Sequence, residues 1–378
     1  MRWIYLDYNA TTPIAPSVQE AMLPYLAERY GNPSSNHVLG RMCQEAMEDA
    51  RGQLALLLGA DRDEIVFTSG GTEANNLALK GMLLKHAPSG GGHLIISALE
   101  HAAISEPARF LERIGYDVTV VGCNSSGVVD PDAVAAALRP DTLLVSVMHA
   151  NNEIGTIQPI RDIARICHER GILVHTDAAQ SIGKLRVNVD ELEVDLLSIT
   201  GHKFYAPKGV GALFVRRGAA LEPVLHGAGH EGGLRAGTEN VTGIVGLGRA
   251  AVLAGKSLDD SAARLAVLRD RLLDHLRAEI GDNLTVHGEY VERLPNTLSV
   301  CIADVAAETL LARIPELCAA AGSACHHTAA AISPTLAALG LDAAAARSTL
   351  RFSTGWFTNE DEIDRAANLV IAAWEDLR

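Results

Sequence analysis

The chain has 378 residues, 48 % hydrophobic and 21 % charged, with 34 glycines, which fits a well-packed α/β protein and excludes a disordered or fibrous one. A formal net charge of −14 argues against nucleic acid or an anionic membrane surface as partner, because nothing would offset phosphate repulsion. The opening MRWIYLDYNATTP lacks the apolar core of a signal peptide and no stretch reads as a bilayer span, so a cytoplasmic protein is expected.

Between residues 60 and 215 seven short apolar runs recur: EIVFTS, HLIISA, DVTVV, LLVSVM, ILVHTD, DLLSIT and GALFV. Helix-like segments such as 72–86 and 160–170 lie between them. Strands alternating with helices predict a mostly parallel sheet covered on both faces, and 16–250 reads as one large α/β domain. After Gly255 the texture changes. A long amphipathic helix is expected over 258–280, followed by the strand LPNTLSVCI, an Ala-rich helical region and the short strand STLRFS. Residues 251–378, with the N-terminal arm 1–15 packed against them, are expected to form a smaller α+β domain.

Six cysteines stand at 43, 123, 167, 301, 318 and 325 without CxxC spacing, so neither a disulfide framework nor a zinc site is indicated. Cys43, Cys167 and Cys318 fall in helix-like stretches, Cys301 in a strand candidate and Cys123 in a loop. Cys325 differs: it ends the small-residue stretch AAGSAC and is followed by His326 and His327, where a nearby imidazolium favours thiolate.

Two glycine patterns mislead. Residues 227–232, GAGHEG, fit GxGxxG, yet no strand feeds them and no helix follows. AGKS at 254–257 resembles the end of a phosphate loop, but Ala250 stands where the first glycine belongs. EIVFTSGGTEANNLAL, 64–79, is better placed. There a strand ends in Ser69-Gly70-Gly71-Thr72 and a helix starts at once, so free N–H groups and the positive end of a helix dipole converge on an anion. A strand-to-helix turn capped by Thr72 would look the same.

The run ILVHTDAAQS ends in Asp177, with Gln180 three positions on. A carboxylate at the end of a buried strand is costly unless a cation meets it, although an N-cap would also explain it. LLSITGHK delivers Thr200, His202 and Lys203 to the same edge; His101 and Asn152 arrive at other strand ends. In open α/β sheets that edge is where ligands bind. Aspartate, lysine, histidine and an anion cradle together match the needs of pyridoxal 5′-phosphate. Lys203 forms the Schiff base, Asp177 pairs with the protonated ring nitrogen, and Thr200 and His202 are neighbours of the phosphate.

With these motifs in place, the sequence resembles the cysteine desulfurase and selenocysteine lyase family of fold-type-I pyridoxal-phosphate enzymes. The resemblance is carried by YLDYNATTP (5–13), YGNPSS (30–35), FTSGGTEANN (67–76), EH (100–101), HANNEIG (149–155), HTDAAQSIGK (175–184), GHKFYAPKGVGALFV (201–215), LRAGTENV (234–241), GSAC (322–325) and LRFSTGWFT (350–358). It implies that Lys203 holds the cofactor and moves protons, that Asp177 pairs with the ring nitrogen and that Gln180 reaches the ring's phenolic oxygen. His101 stacks on the ring and serves in acid–base steps. Gly71, Thr72, Thr200 and His202 bind the phosphate, joined by Thr238 of the partner subunit in a homodimer. Asn152 and Arg351 grip the substrate carboxylate, and Cys325 attacks the substrate sulfur. The implied reaction converts L-cysteine to L-alanine, leaving a persulfide on Cys325 for a sulfur-acceptor protein. Tyr8-Asn9 and His326-His327 depart from the commonest desulfurase pattern and lean toward L-selenocysteine as substrate. An aminotransferase on the same fold would need no cysteine in a loop.

Overall fold

The computed structural model describes residues 3–322 and 332–378. All seven apolar runs become strands of one sheet: β1 (Ile65–Thr68), β2 (His93–Ser97), β3 (Asp117–Val121), β4 (Thr142–Ser146), β5 (Leu173–Asp177), β6 (Leu196–Thr200) and β7 (Gly211–Val215). Their order across the sheet is β1-β7-β6-β5-β4-β2-β3. Every pairing is parallel except the two made by β7, which runs against both β1 and β6. The carboxyl ends of β1, β2, β4, β5 and β6 therefore share one edge.

Side chains that alternate along each strand feed opposite faces. Phe67, Ile95, Val145, Val174, Leu197, Ile199 and Phe214 join one core cluster, and Val66, Leu94, Ile96, Leu144, Leu196 and Leu213 another. Both faces are apolar because both are covered, which is why the runs read as continuous rather than alternating. The first face packs on α1 (Val38–Leu58), the second on α2 (Gly71–His86) and α3 (Ala102–Arg113); α4 (Ile160–His168) adds Ile160, Ile163 and Cys167 to the first.

A second sheet is antiparallel: β8 (Leu284–Val286), β9 (Thr297–Ile302), β10 (Ala320–Ala321) and β11 (Thr349–Ser353), in the order β10-β11-β9-β8. Its core is built from Leu298, Val300, Leu350 and Phe352, with Ile4 and Leu6 of the N-terminal arm and the apolar stripe of α6 (Glu360–Leu377). Cys318 is not helical as expected. It lies in the two-residue strand Leu317–Cys318, which pairs in parallel with Ile4–Tyr5.

The helix expected over 258–280 is longer than its amphipathic pattern. It is α5, 40 residues from Val241 to Ile280. Ile244, Leu247, Ala250, Ala251 and Ala254 at its start belong to the first sheet's core, whereas Leu268, Leu272, Leu273, Leu276 and Ile280 belong to the second's. By length and composition this one helix among the described residues could match a bilayer, but it is packed along its length against α1 and α6.

Candidate active site

At the end of β1 the chain turns through Ser69 and Gly70 into α2. Gly70 has φ +150° and ψ −178°, a conformation that residues with a Cβ rarely adopt. A Cβ on Gly71 would lie 2.0 Å from the Thr200 hydroxyl oxygen, so only glycine lets the end of β6 meet the start of α2 this closely. The first turn of α2 therefore presents its backbone N–H groups and positive dipole end directly beside a threonine hydroxyl. Glu73, a carboxylate in that same turn, would repel an anion. Its Oε1 instead accepts from Arg235 Nε at 2.8 Å and its Oε2 from the Ser69 N–H at 3.0 Å. Burial alone would raise the Glu73 carboxyl, but these bonds outweigh it and hold the group below its ordinary value.

Asp177 ends β5 and is buried. Its Oδ1 accepts the Ala179 N–H at 2.9 Å and its Oδ2 accepts from Asn75 Nδ2 at 2.7 Å. Residues 178–185 form turns rather than a helix, so the carboxylate caps no helix, and both of its oxygens accept from neutral donors. Next to it, β6 ends at Thr200 and a single 3₁₀ turn, Gly201–Lys203, follows. Lys203 Nζ donates to the main-chain oxygens of Asn9 (2.7 Å) and Ala10 (2.8 Å) in the N-terminal arm. His202 Nδ1 lies 3.1 Å from Thr11 Oγ1. Burial, then Lys203 and Lys208, push this imidazole down to about 4, so it is neutral near pH 7.

His101 is the N-cap of α3; its Nδ1 accepts the Ala103 N–H at 3.1 Å. The neutral ring then carries its proton on Nε2. Desolvation lowers its pKa, with Asp177 opposing and Lys203 reinforcing. From the second sheet, Arg351 on β11 reaches over. Its Nη1 donates to the Asn152 main-chain oxygen at 3.0 Å and its Nη2 meets Asp7 Oδ1 at 2.6 Å. Its Nε is buried with no partner among the described residues.

Gly71, Thr72, His101, Asn152 and Asp177 line one cavity of about 570 Å³ together with Gln180, Thr200, His202, Lys203 and Arg351, a size typical of a small-molecule site. Thr238 is not among them; it lines a separate cavity of about 120 Å³ beside Ser69, Gly209 and Arg235. Cys325 lies outside the described residues.

Sequence reading missed four participants. Asn75 was legible only as a helix residue one turn past the cradle, and Asn9 only as part of the arm. Glu100 is fully buried; its Oε1 accepts from Ser97 Oγ (2.5 Å) and the Met148 N–H (2.8 Å). Burial pushes it up to about 8, with Asp177 adding to the shift and the two hydrogen bonds opposing. Lys184, buried four residues beyond Gln180, had no signal beyond its place at the end of HTDAAQSIGK.

The chemistry of the donors fits pyridoxal 5′-phosphate: an anion cradle that a single Cβ would fill, a stabilised carboxylate for a ring nitrogen and a lysine amine on one cavity. Residues 4–366 match the aminotransferase class-V family. The chain is 44 % identical to the cysteine desulfurase IscS of Dictyoglomus turgidum, covering all of this chain and 96 % of that protein. Against the IscS of Anaeromyxobacter dehalogenans it is 47 % identical over 97 % of this chain and 91 % of that one. A solved NifS-like protein superposes over the full length of both chains with a TM-score of 0.93 and 36 % identity. SspA, solved in complex with cysteine, superposes with a TM-score of 0.82 and 38 % identity over 92 % of this chain and 98 % of that one. The chain thus belongs to the aminotransferase class-V family, among its cysteine desulfurases.

Proposed function

We propose that the protein is a pyridoxal-phosphate-dependent cysteine desulfurase that releases L-alanine from L-cysteine and passes the sulfur to an acceptor protein. The observation that carries this is the convergence of Asp177, Lys203 and the Gly71–Thr200 contact on one cavity, with Arg351 reaching in from the second sheet. When bound, the cofactor supplies an electron sink for the bond-breaking at the amino acid's α-carbon.

The chain's own groups do the rest. Gly71, Thr72, Thr200 and His202 hold the phosphate through backbone and side-chain donors. Asp177, oriented by donors from Asn75 and Ala179, would pair with the protonated ring nitrogen. Gln180 would meet the ring oxygen, and His101 would lie against the ring and serve in proton transfer. Lys203 binds the cofactor covalently and moves the α-proton. The substrate carboxylate would be gripped by Asn152 and by Arg351, whose Nε has no partner among the described residues. Cys325, as thiolate, would attack the substrate sulfur: an S–S bond forms, the Cβ–S bond breaks with its electron pair kept by the substrate carbon, protonation of that carbon leads to alanine, and Cys325 is left as a persulfide. A homodimer completes each phosphate site with Thr238 of the partner subunit. The fold is read as a large cofactor-binding domain, 16–250, and a small domain from 1–15 and 251–378.

The test is alanine and sulfide release from L-cysteine by the purified protein, run beside selenide release from L-selenocysteine. Lys203→Ala is expected to lose the bound chromophore and about 10³-fold or more of turnover. Activity confined to selenocysteine would move the reading to a selenocysteine lyase. Keto-acid formation without sulfide would move it to an aminotransferase.

A further inference from the structure

Lys184 sits in the turns after β5 and is buried. Its Nζ donates to Gln180 Oε1 at 2.7 Å and to Asn9 Oδ1 at 3.2 Å. Both partners are amide oxygens rather than carboxylates. A buried lysine without a counter-ion is costly, and methionine would fill the space at less expense. Burial, then the cations Lys203 and Arg351, push Lys184 well below the ordinary lysine range; Asp7, on the same arm as Asn9, is paired with Arg351.

What the lysine does achieve is directional order. An amide side chain can be turned either way, and its sense is set by its hydrogen-bond partners. Lys184 has N–H donors in either protonation state, and an amide oxygen only accepts. With Oε1 held by Lys184, the Gln180 Nε2 must face the other way. One of its hydrogens goes to the Asn9 main-chain oxygen at 3.0 Å, which leaves the second for the cavity that Gln180 lines. Asn9 is ordered in the same sense: Oδ1 accepts from Lys184 and from Asn296 Nδ2 (3.0 Å), while Nδ2 donates to Thr297 Oγ1 (2.8 Å). The Asn9 main-chain oxygen that takes the Gln180 amide also takes Lys203 Nζ.

We propose that Lys184 is a positioning residue for the cofactor: by donating to Gln180 Oε1 it fixes the sense of that amide and aims Nε2 at the ring oxygen. This rests on the reading that Gln180 meets the ring oxygen. A donor there stabilises the form in which the oxygen carries the more exposed negative charge, which is the deprotonated one, so losing the donor raises the midpoint at which the bound chromophore titrates.

The experiment is a pH titration of the cofactor absorption band in the holoenzyme, for the parent, Lys184→Met, Gln180→Leu and the double variant. Lys184→Met is expected to raise the midpoint by about 0.5–1 pH unit, the scale of one hydrogen bond. Gln180→Leu should shift it the same way, and the double variant no further than Gln180→Leu alone, because both changes remove one contact. Should Lys184→Met fail to fold, Lys184→Gln carries the same expected direction, since its amide no longer dictates the sense of Gln180. A parent-like midpoint in the Lys184 variants beside a shifted Gln180→Leu overturns the proposal and leaves the Gln180 reading intact. Additive shifts in the double variant overturn it too, because Lys184 would then act by its own charge. An unshifted Gln180→Leu removes the underlying reading and the proposal with it.

Discussion

A fully buried carboxylic acid gives the protein a pH signature that belongs to a single residue. Glu100, pushed up to about 8 from 4.5 chiefly by burial, binds its proton more tightly in the folded chain than in the unfolded one. Its contribution to stability is complete below about pH 4.5 and is lost as pH rises toward 8. Glu100→Gln keeps a group that fills the site but does not ionise, so the fall in urea midpoint between pH 5 and 8 is expected to flatten. A parent-like slope in the variant would show that Glu100 does not titrate there. This residue also marks where sequence reading stops at the residue scale. Asp177, Lys203 and His101 were legible because each lies at or within four residues beyond the carboxyl end of a strand, and a polar group at the edge of an apolar run is conspicuous. Asn75, Lys184 and Glu100 each have a partner 102, 175 or 48 positions away in sequence, and although Lys184 and Glu100 also bond Gln180 and Ser97 nearby, nothing local announces the distant contact.

The sheet and its long helix differ in how openly their sequences declare them. All seven strands could be read because covering both faces of a parallel sheet demands unbroken apolar runs. The first half of α5 could not, because apart from Ile244 and Leu247 its buried surface is glycine and alanine, which carry a weak hydrophobic period. A Cβ on Gly248 would stand 2.6 Å from the Ala50 Cα and 2.7 Å from its Cβ, and one on Gly246 would stand 2.8 Å from Met22 Sδ. Gly248 makes the groove into which α1 packs, and Gly246 makes room for Met22 outside α1, so intrinsic propensity and packing oppose each other here. Gly248→Ala gains about 1 kcal/mol in helix propensity but meets a backbone atom that cannot yield, an overpacking cost of about 1–3 kcal/mol. The expected result is a net loss of about 1 kcal/mol, read as a lower urea midpoint at unchanged m value. A raised midpoint would mean that the two helices separate without cost.

At the scale of the whole molecule the decisive residue is the one that the cavity leaves out. Thr238 is exposed and lines a different, smaller cavity. The loop before it is pinned to the first sheet: Glu231 takes both Arg51 Nη atoms at 2.8 Å and the Phe67 N–H at 2.7 Å. A firmly held loop that presents an exposed threonine away from its own cofactor cavity suits donation to a neighbouring copy, where an isologous contact would supply two such threonines at once. That arrangement makes a prediction about mixtures. Lys203→Ala destroys the site of the chain that carries it, whereas Thr238→Asp sets a carboxylate against the phosphate of the partner's site. At an exposed position the aspartate should cost its own protomer no more than about 0.5 kcal/mol in stability. Each variant alone is expected to be inactive. In a mixed dimer the chain bearing Thr238→Asp keeps its own Lys203 and receives an intact threonine from the Lys203→Ala chain, so one of the two sites is whole. Random pairing on co-expression makes half of the dimers mixed, and alanine release should recover to about one quarter of the parent rate. If Thr238 served its own chain, every site in the mixture would carry a defect and no activity would return.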